Sequence, residues 1–178
     1  FPWEDRRRGP PAVMERLVPG LTAWAGDDAA RKGRVDALFA LSPGGRWNEE
    51  RVLERYELLY GAGLVPEAHR DAGTVADTPL AAGEPMAADH RRIMATAIAR
   101  LRGKIKYRPL VFELMPPSFT LLQLQRTVEA LSGLLLHKPN FRRLVAQQGL
   151  IEETGAVGMA VDTANLMNVK AQLQTAAD

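Results

Sequence analysis

The segment from Phe119 to Leu124 constrains the fold of this chain more than any other. Thr120 and Gln123 have the spacing of a capping box, in which each side chain satisfies the backbone amide of the other residue. Phe119 and Leu124 have the spacing of a hydrophobic staple across the same helix start. Two independent devices therefore predict a helix that begins here and ends at Gly133.

A second helix is predicted after a short connection. Pro139 suits the first turn of a helix, and the residues after it place apolar and polar side chains on opposite faces. The positions predicted to face inward are Phe141, Leu144 and Val145, and those predicted to face outward are Asn140, Arg142, Arg143 and Gln147. A short turn between two helices, the second one basic on its outer face, is typical of a helix-turn-helix.

The neighbouring segments extend this prediction to a winged helix-turn-helix over residues 88–161. Upstream, Asp89 can cap a helix that ends at Gly103. The stripe predicted to be buried on that helix is Ile93, Met94, Ala97, Ile98 and Leu101. Tyr107 to Leu114 is short and apolar enough for a strand, and Leu150-Ile151-Glu152 follows the last helix where a wing begins.

The first half of the chain is predicted to be helical. The three predicted helices run over Ala12–Ala25 with a kink or break at Pro19-Gly20, from Asp27 or Asp28 to Leu41, and from a capping Asn48 to Gly61. The fold class is therefore mainly α with a small β component. We expect a helical region over residues 1–65, a linker over 66–87, the winged helix-turn-helix over 88–161, and a tail of unknown structure over 162–178.

The charge distribution is uneven. Up to Asp89 the chain has 11 Lys and Arg against 15 Asp and Glu, and after it 12 against 6, so the two parts carry −4 and +6. This polarity favours a nucleic-acid-binding half beside a regulatory or dimerising half. A basic helix face that is simply solvated explains the charge alone equally well.

A winged helix-turn-helix places its last helix in the major groove of DNA, where Arg pairs with guanine and Asn or Gln with adenine. Asn140, Arg142, Arg143 and Gln147 are accordingly predicted to read bases, although a local cap or core hydrogen bond explains Asn140 as well. The residues predicted to bind phosphate are Thr120, Arg126, Lys138, Arg100, Arg102, Lys104, Lys106 and Arg108.

Several other functions lack the residues they need. The absence of cysteine excludes disulfides, thiolate zinc sites and a cysteine nucleophile, and it is compatible with the cytoplasm. The glutamates between 49 and 57 alternate with Arg51 and Arg55, which favours a salt-bridged surface over a metal site. No apolar run approaches the roughly 20 residues of a membrane span. The start at Phe1, without a methionine, indicates part of a longer chain or a processed product.

Four segments of the second half occur in a familiar order: LRGKIKYRP (101–109), FELMPPSFTLLQLQ (112–125), KPNFRR (138–143) and GLIEETG (149–155). Together they resemble the C-terminal winged-helix domain of the Nudix-related transcriptional regulators of NAD metabolism, the NrtR/NadQ-like group. FPWED (1–5) and WNEERVLERYELLY (47–60) are most similar to the alphaproteobacterial, NadQ-like members. The resemblance covers residues 1 to about 155.

The resemblance implies a non-enzymatic, dimeric repressor that binds the double-stranded DNA of NAD biosynthesis promoters. It also implies control by NAD, ATP or ADP-ribose through a Nudix-like domain that precedes Phe1, with no cofactor in this chain. One departure concerns the wing, because the family usually continues after Gly155 with Gly-Arg-Pro-Ala, whereas this chain continues with Ala156 to Val161.

Two alternatives compete with the repressor: a part of a Nudix hydrolase, either its catalytic box or an accessory segment, and a winged-helix module that binds protein without binding DNA. Glu152-Glu153-Thr154-Gly155 imitates the end of a Nudix hydrolase box, but the Arg-Glu of that box would fall on Gln148-Gly149 and its upstream Glu on Asn140, so the carboxylates that hold the metal are missing. A protein-interaction module without DNA binding is the other alternative. The basic outer face and an aromatic content of 6% argue against it, because interface cores favour aromatic over charged residues.

Overall fold

Helices dominate the described part of the chain, which in this computed structural model is residues 1–75, 85–105, 110–149, 151–153 and 159–161. The chain divides into two units, Phe1–Arg100 and Leu101–Asp178. The first unit contains α1 (Met14–Ala25), α2 (Ala29–Phe39), α3 (Val52–Gly61), α4 (Pro66–Ala72) and most of α5 (His90–Ile105). The second contains the end of α5, a 3-10 helix (Leu110–Leu114), β1 (Ser118–Phe119), α6 (Leu121–Ser132), α7 (Lys138–Gln148), β2 (Ile151–Glu153) and β3 (Met159–Val161). The expected fold class, mainly α with a small β component, is confirmed.

The core of the first unit is built by the apolar stripes of the first three helices. Leu17 and Leu21 of α1, Phe39 of α2, and Tyr56 and Leu59 of α3 are all fully or almost fully buried. These stripes therefore build the unit itself and are not left exposed for a partner.

Helix α1 continues through Pro19, so of the predicted kink or break the break does not occur. A proline inside a helix removes one backbone donor and leaves the carbonyl four residues earlier without its partner. Here Pro19 and Glu15 both lie on the exposed side of the helix, where water can bind the freed carbonyl of Glu15.

The starts of α2 and α3 differ in how they are capped. Asp28 caps α2, since its Oδ1 accepts hydrogen bonds from the amides of Arg31 and Ala30, and these bonds lower the pKa of its carboxyl. Asn48 instead forms a turn in which its Oδ1 accepts from the amide of Glu50, and α3 begins only at Val52. Asn48 therefore precedes the helix by one turn.

A buried ion pair joins the start of the chain to α3. Arg55 is completely buried, and its Nε and Nη2 donate to Glu4 Oε1 and Oε2 at 2.6 and 2.8 Å. Its Nη1 donates to the carbonyl oxygen of Asn48 at 2.8 Å. The guanidinium carbons of Arg55 and Arg6 each lie 3.8 Å from the ring centroid of Trp47. The indole therefore gains two cation–π contacts.

Helix α4 lies within the predicted linker and contributes buried groups to the first unit. Val65, just before it, is fully buried, and Glu67 is 1% exposed. Glu67 Oε1 accepts from Arg91 Nε at 3.0 Å and from the amide of Met86 at 2.9 Å. The segment is thus short structure, as expected, but it packs into the first unit and holds the start of α5. Residues 76–84 of the linker lie outside the described part.

The prediction for α5 was wrong about both its buried stripe and its end. Ile93 and Met94 are 61% and 43% exposed, whereas Arg91, Ala95 and Arg102 are buried. Ala97 is also exposed, and Ile98 and Leu101 are only partly buried. The apolar pattern misleads because the arginine face of α5, which carries Arg91 and Arg102, is buried against polar partners. Glu67 binds Arg91, and the carbonyl of Leu131 binds Arg102. The helix also passes Gly103 and ends at Ile105.

The second unit has its own small core, formed by Val111, Phe119, Leu124, Phe141 and Val145. The predicted strand over 107–114 is wrong where it is described, because Leu110–Leu114 is a 3-10 helix. Short apolar runs do not distinguish strands from helices by periodicity. Val111 is buried, and the Phe112 ring stacks on that of Phe119, so one tight turn suffices to place both apolar side chains.

The three short strands form one antiparallel sheet in the order β1-β3-β2. Ser118 and Phe119 pair with Ala160 and Met159, and Ile151 pairs with Val161. The sheet therefore ties the strand before α6 to the hairpin after α7. This is the arrangement of a winged helix, which the sequence predicted.

Candidate nucleic-acid interface

The start of α6 is set by the predicted capping box. Thr120 Oγ1 accepts from the amide of Gln123 at 3.2 Å, and Gln123 Oε1 accepts from the amide of Thr120 at 2.7 Å. The Thr120 hydroxyl also donates to Gln123 Oε1. Thr120 was predicted to bind phosphate, but its hydroxyl is occupied within the cap. In the structure Thr120 is the N-cap of α6.

Two polar side chains on the inner side of α6 hold the turn to α7. Gln125 and Glu129 are each 8% exposed. Gln125 Nε2 donates to Glu129 Oε1 at 2.9 Å and to the carbonyl of Leu136 at 3.2 Å, and Glu129 Oε1 accepts from the amide of Leu136 at 3.1 Å. Gly133 ends α6 with φ +74°, a conformation that glycine adopts without strain, and this permits the tight turn.

Sequence reasoning missed the roles of Gln125 and Glu129. The signal that could have found them is an amide and a carboxylate one helical turn apart on the apolar side of an amphipathic helix, where an unpaired polar group would be costly.

Helix α7 separates packing from polar side chains as predicted. Phe141 and Val145 are buried at 9% and 7% exposure. The predicted base readers Asn140, Arg142, Arg143 and Gln147 are all exposed. Asn140 is neither buried in the core nor hydrogen-bonded to a described residue. The alternative that it serves as a local cap or a core hydrogen bond therefore has no support in the described part of the chain. Among the described residues, none pairs with the guanidinium of Arg142 or Arg143, so these charges face solvent.

The other seven residues predicted to bind phosphate fall into three groups. Arg126, Lys138, Arg100 and Lys104 are exposed. Arg102 does not fit the prediction, because it is 6% exposed and its Nε donates to the carbonyl of Leu131 at 2.9 Å, which makes it part of the packing at the end of α6. Lys106 and Arg108 lie outside the described residues.

The start of α7 favours an anion. Lys138 is its first residue, and the cap residue His137 makes no side-chain hydrogen bond to the free amides of the first turn. Such amides and the helix dipole attract phosphate. Lys138 adds an exposed positive charge at the same end.

The described part of the chain has neither a cluster of metal ligands nor a membrane-spanning helix. It contains no group of three or more His, Asp or Glu side chains placed to hold a metal ion. None of its helices combines the length and the apolar character that crossing a membrane requires.

Comparison with known proteins agrees with the geometry. Residues 111–162 match the NrtR DNA-binding winged helix domain, a range that begins in the 3-10 helix and ends just after β3. A curated relative, the ADPR-responsive transcriptional repressor NtrR of Acinetobacter baylyi, is 44% identical over 69 residues. That alignment covers 39% of this chain and 28% of the relative. The chain is therefore NrtR-like in its C-terminal part, where it carries a winged helix DNA-binding domain.

Proposed function

We propose that this chain is the DNA-binding part of a cytoplasmic repressor of NAD biosynthesis genes. The observation that carries the proposal is the outer face of α7, where Asn140, Arg142, Arg143 and Gln147 are exposed and the two guanidinium groups lack a described partner. These are the side chains that recognise guanine and adenine in the major groove. The winged helix match and the description of the relative as a repressor support the same function.

The control signal in this proposal is NAD, ATP or ADP-ribose. The relative is described as responsive to ADPR, which favours ADP-ribose as the first compound to test. In the proposal the effector binds a Nudix-like domain of the full-length protein and changes its affinity for DNA. Adding each nucleotide to the preformed complex of full-length protein and promoter DNA identifies the effector, since the true one alters DNA affinity at saturating concentration.

We also propose that the repressor is a homodimer. A winged helix-turn-helix that binds two half-sites one helical turn apart needs a twofold protein. The apolar stripes of α1 and α3 are buried in the first unit and therefore cannot form the contact. Sedimentation analysis of the chain with and without duplex DNA measures the stoichiometry, and two chains per duplex is the expected result.

A fluorescence-anisotropy titration tests DNA binding directly. The chain is titrated against DNA upstream of its own gene, against NAD-gene promoter DNA and against a scrambled duplex, each at two salt concentrations. We expect saturable binding that prefers a promoter and weakens steeply as salt rises, because counterions are released from the phosphates. Folded protein that binds no duplex contradicts the proposal, and salt-insensitive capture of a protein partner favours the interaction module.

The outer residues of α7 are expected to separate sequence reading from general affinity. Arg142→Ala or Arg143→Ala should cost about 1–3 kcal/mol on the promoter and relax the preference at one base pair, while Lys138→Ala should weaken binding to all duplexes alike. Arg16→Ala is the matched control, since Arg16 is an exposed arginine of the first unit. Equal losses on promoter and scrambled DNA would remove Arg142 and Arg143 from base reading.

A further inference from the structure

The turn between α6 and α7 is held by a small network with matched donors and acceptors. The two hydrogens of the Gln125 amide have two acceptors, Glu129 Oε1 and the carbonyl of Leu136. Glu129 Oε1 in turn receives two donors, the Gln125 amide and the backbone amide of Leu136. Both backbone polar groups of Leu136 are therefore bound by side chains of α6.

This network lies immediately before α7, so a shift of the turn also moves the start of that helix. Leu136 is two residues before Lys138, the first residue of α7. Because Gln125 and Glu129 are almost completely buried, losing one partner leaves a polar group unsatisfied in a site of low dielectric constant. The turn is therefore held in the position in which all these groups are paired.

We propose that Gln125 and Glu129 are positioning residues for DNA recognition: they fix Leu136 and thereby set where α7 presents its base-reading face. The inference rests on the proposed function, since it deepens the account of the same site. It assigns sequence discrimination partly to two buried side chains that cannot touch DNA. General attraction to the phosphates of DNA does not require an exact position of α7, because it depends on the number of positive charges.

The first test compares three variants on the promoter duplex that the wild-type chain binds and on a scrambled duplex. Glu129→Leu removes the acceptor, and we expect promoter affinity to fall about tenfold or more while scrambled-duplex affinity stays within about threefold. Glu129→Gln keeps an acceptor oxygen and should retain promoter affinity within about threefold. Glu113→Leu removes an exposed carboxylate of the same unit and controls for the change in net charge.

The second test exchanges the amide and the carboxylate between positions 125 and 129. Gln125→Glu brings two carboxylates together and leaves the Leu136 carbonyl without a donor, so discrimination between the promoter and the scrambled duplex should fall. Adding Glu129→Gln restores an amide–carboxylate pair and keeps an acceptor oxygen for the Leu136 amide, and the net charge returns to that of the wild-type chain. We expect the double variant to recover part of the discrimination.

Hydrogen exchange of the Leu136 amide, followed without DNA, separates failure of this inference from failure of the proposed function. The amide should be protected in the wild-type chain and in Glu129→Gln, and should exchange at least about tenfold faster in Glu129→Leu. If the wild-type chain binds no duplex, the proposed function fails whatever the exchange shows. If it binds the promoter and Glu129→Leu discriminates equally well, the positioning role is overturned. Equal losses on both duplexes also overturn it, since they indicate general unfolding.

Discussion

Replacing Arg55 with methionine is expected to destabilise the first unit by about 3–5 kcal/mol. The substitution removes the buried cation that binds both carboxylate oxygens of Glu4, and it removes a donor from the carbonyl of Asn48 and one of the two cations from Trp47. Globular domains are stable by only about 5–15 kcal/mol, so this loss should be visible as a large drop in the urea midpoint. Trp3, Trp24 and Trp47 all lie in the first unit, and their fluorescence therefore reports its unfolding.

Two comparisons make this result specific to the buried pair. Arg51→Met breaks the exposed pair with Glu54 and should cost at most about 1 kcal/mol. Combining Arg55→Met with Glu4→Leu should be less destabilising than Arg55→Met alone, because the buried carboxylate that Arg55 binds is then removed together with it. If Arg51→Met and Arg55→Met are equally harmful, burial is not the reason for the effect.

Replacing Phe119 with alanine should destabilise the second unit by about 3–5 kcal/mol. Phe119 is 2% exposed, stacks on Phe112, and belongs to the β1 strand that pairs with β3. The substitution opens a cavity at the point where the sheet and α6 meet, so promoter binding should be lost together with stability. Urea denaturation followed by circular dichroism and anisotropy of labelled duplex measure the two effects.

The control for Phe119→Ala is Leu122→Ala. Leu122 follows on α6 but is 45% exposed, so its truncation should change stability by no more than about 0.5 kcal/mol. A destabilisation as large as that of Phe119→Ala would mean that Leu122 is covered in solution by another surface.

Local signals predicted the second unit better than the first. Thr120 and Gln123 lie three residues apart and define a helix start by themselves, and Pro139 and Phe141 define the next helix equally locally. The exposed face of α7 was predicted from the helical spacing of its apolar and polar residues. Its role in reading bases stays a prediction.

The errors arise where residues distant in sequence decide the outcome. The Ile93 stripe looked like the buried face of α5 because the pattern counts only apolar residues. The arginine face is buried instead, since Arg91 meets Glu67, 24 residues earlier, and Arg102 meets Leu131, 29 residues later. Arg55 and Glu4, 51 residues apart, give no local signal at all.

The separation of faces on α7 also bears on how such a regulator can evolve. Phe141 and Val145 hold the helix in place, while Arg142, Arg143 and Gln147 are not used for packing. Substitutions at exposed positions away from packing rarely change stability by more than about 0.5 kcal/mol. Under the proposed base reading by α7, a descendant of this protein can therefore acquire a new operator by successive changes on the outer face, without passing through unstable ancestors.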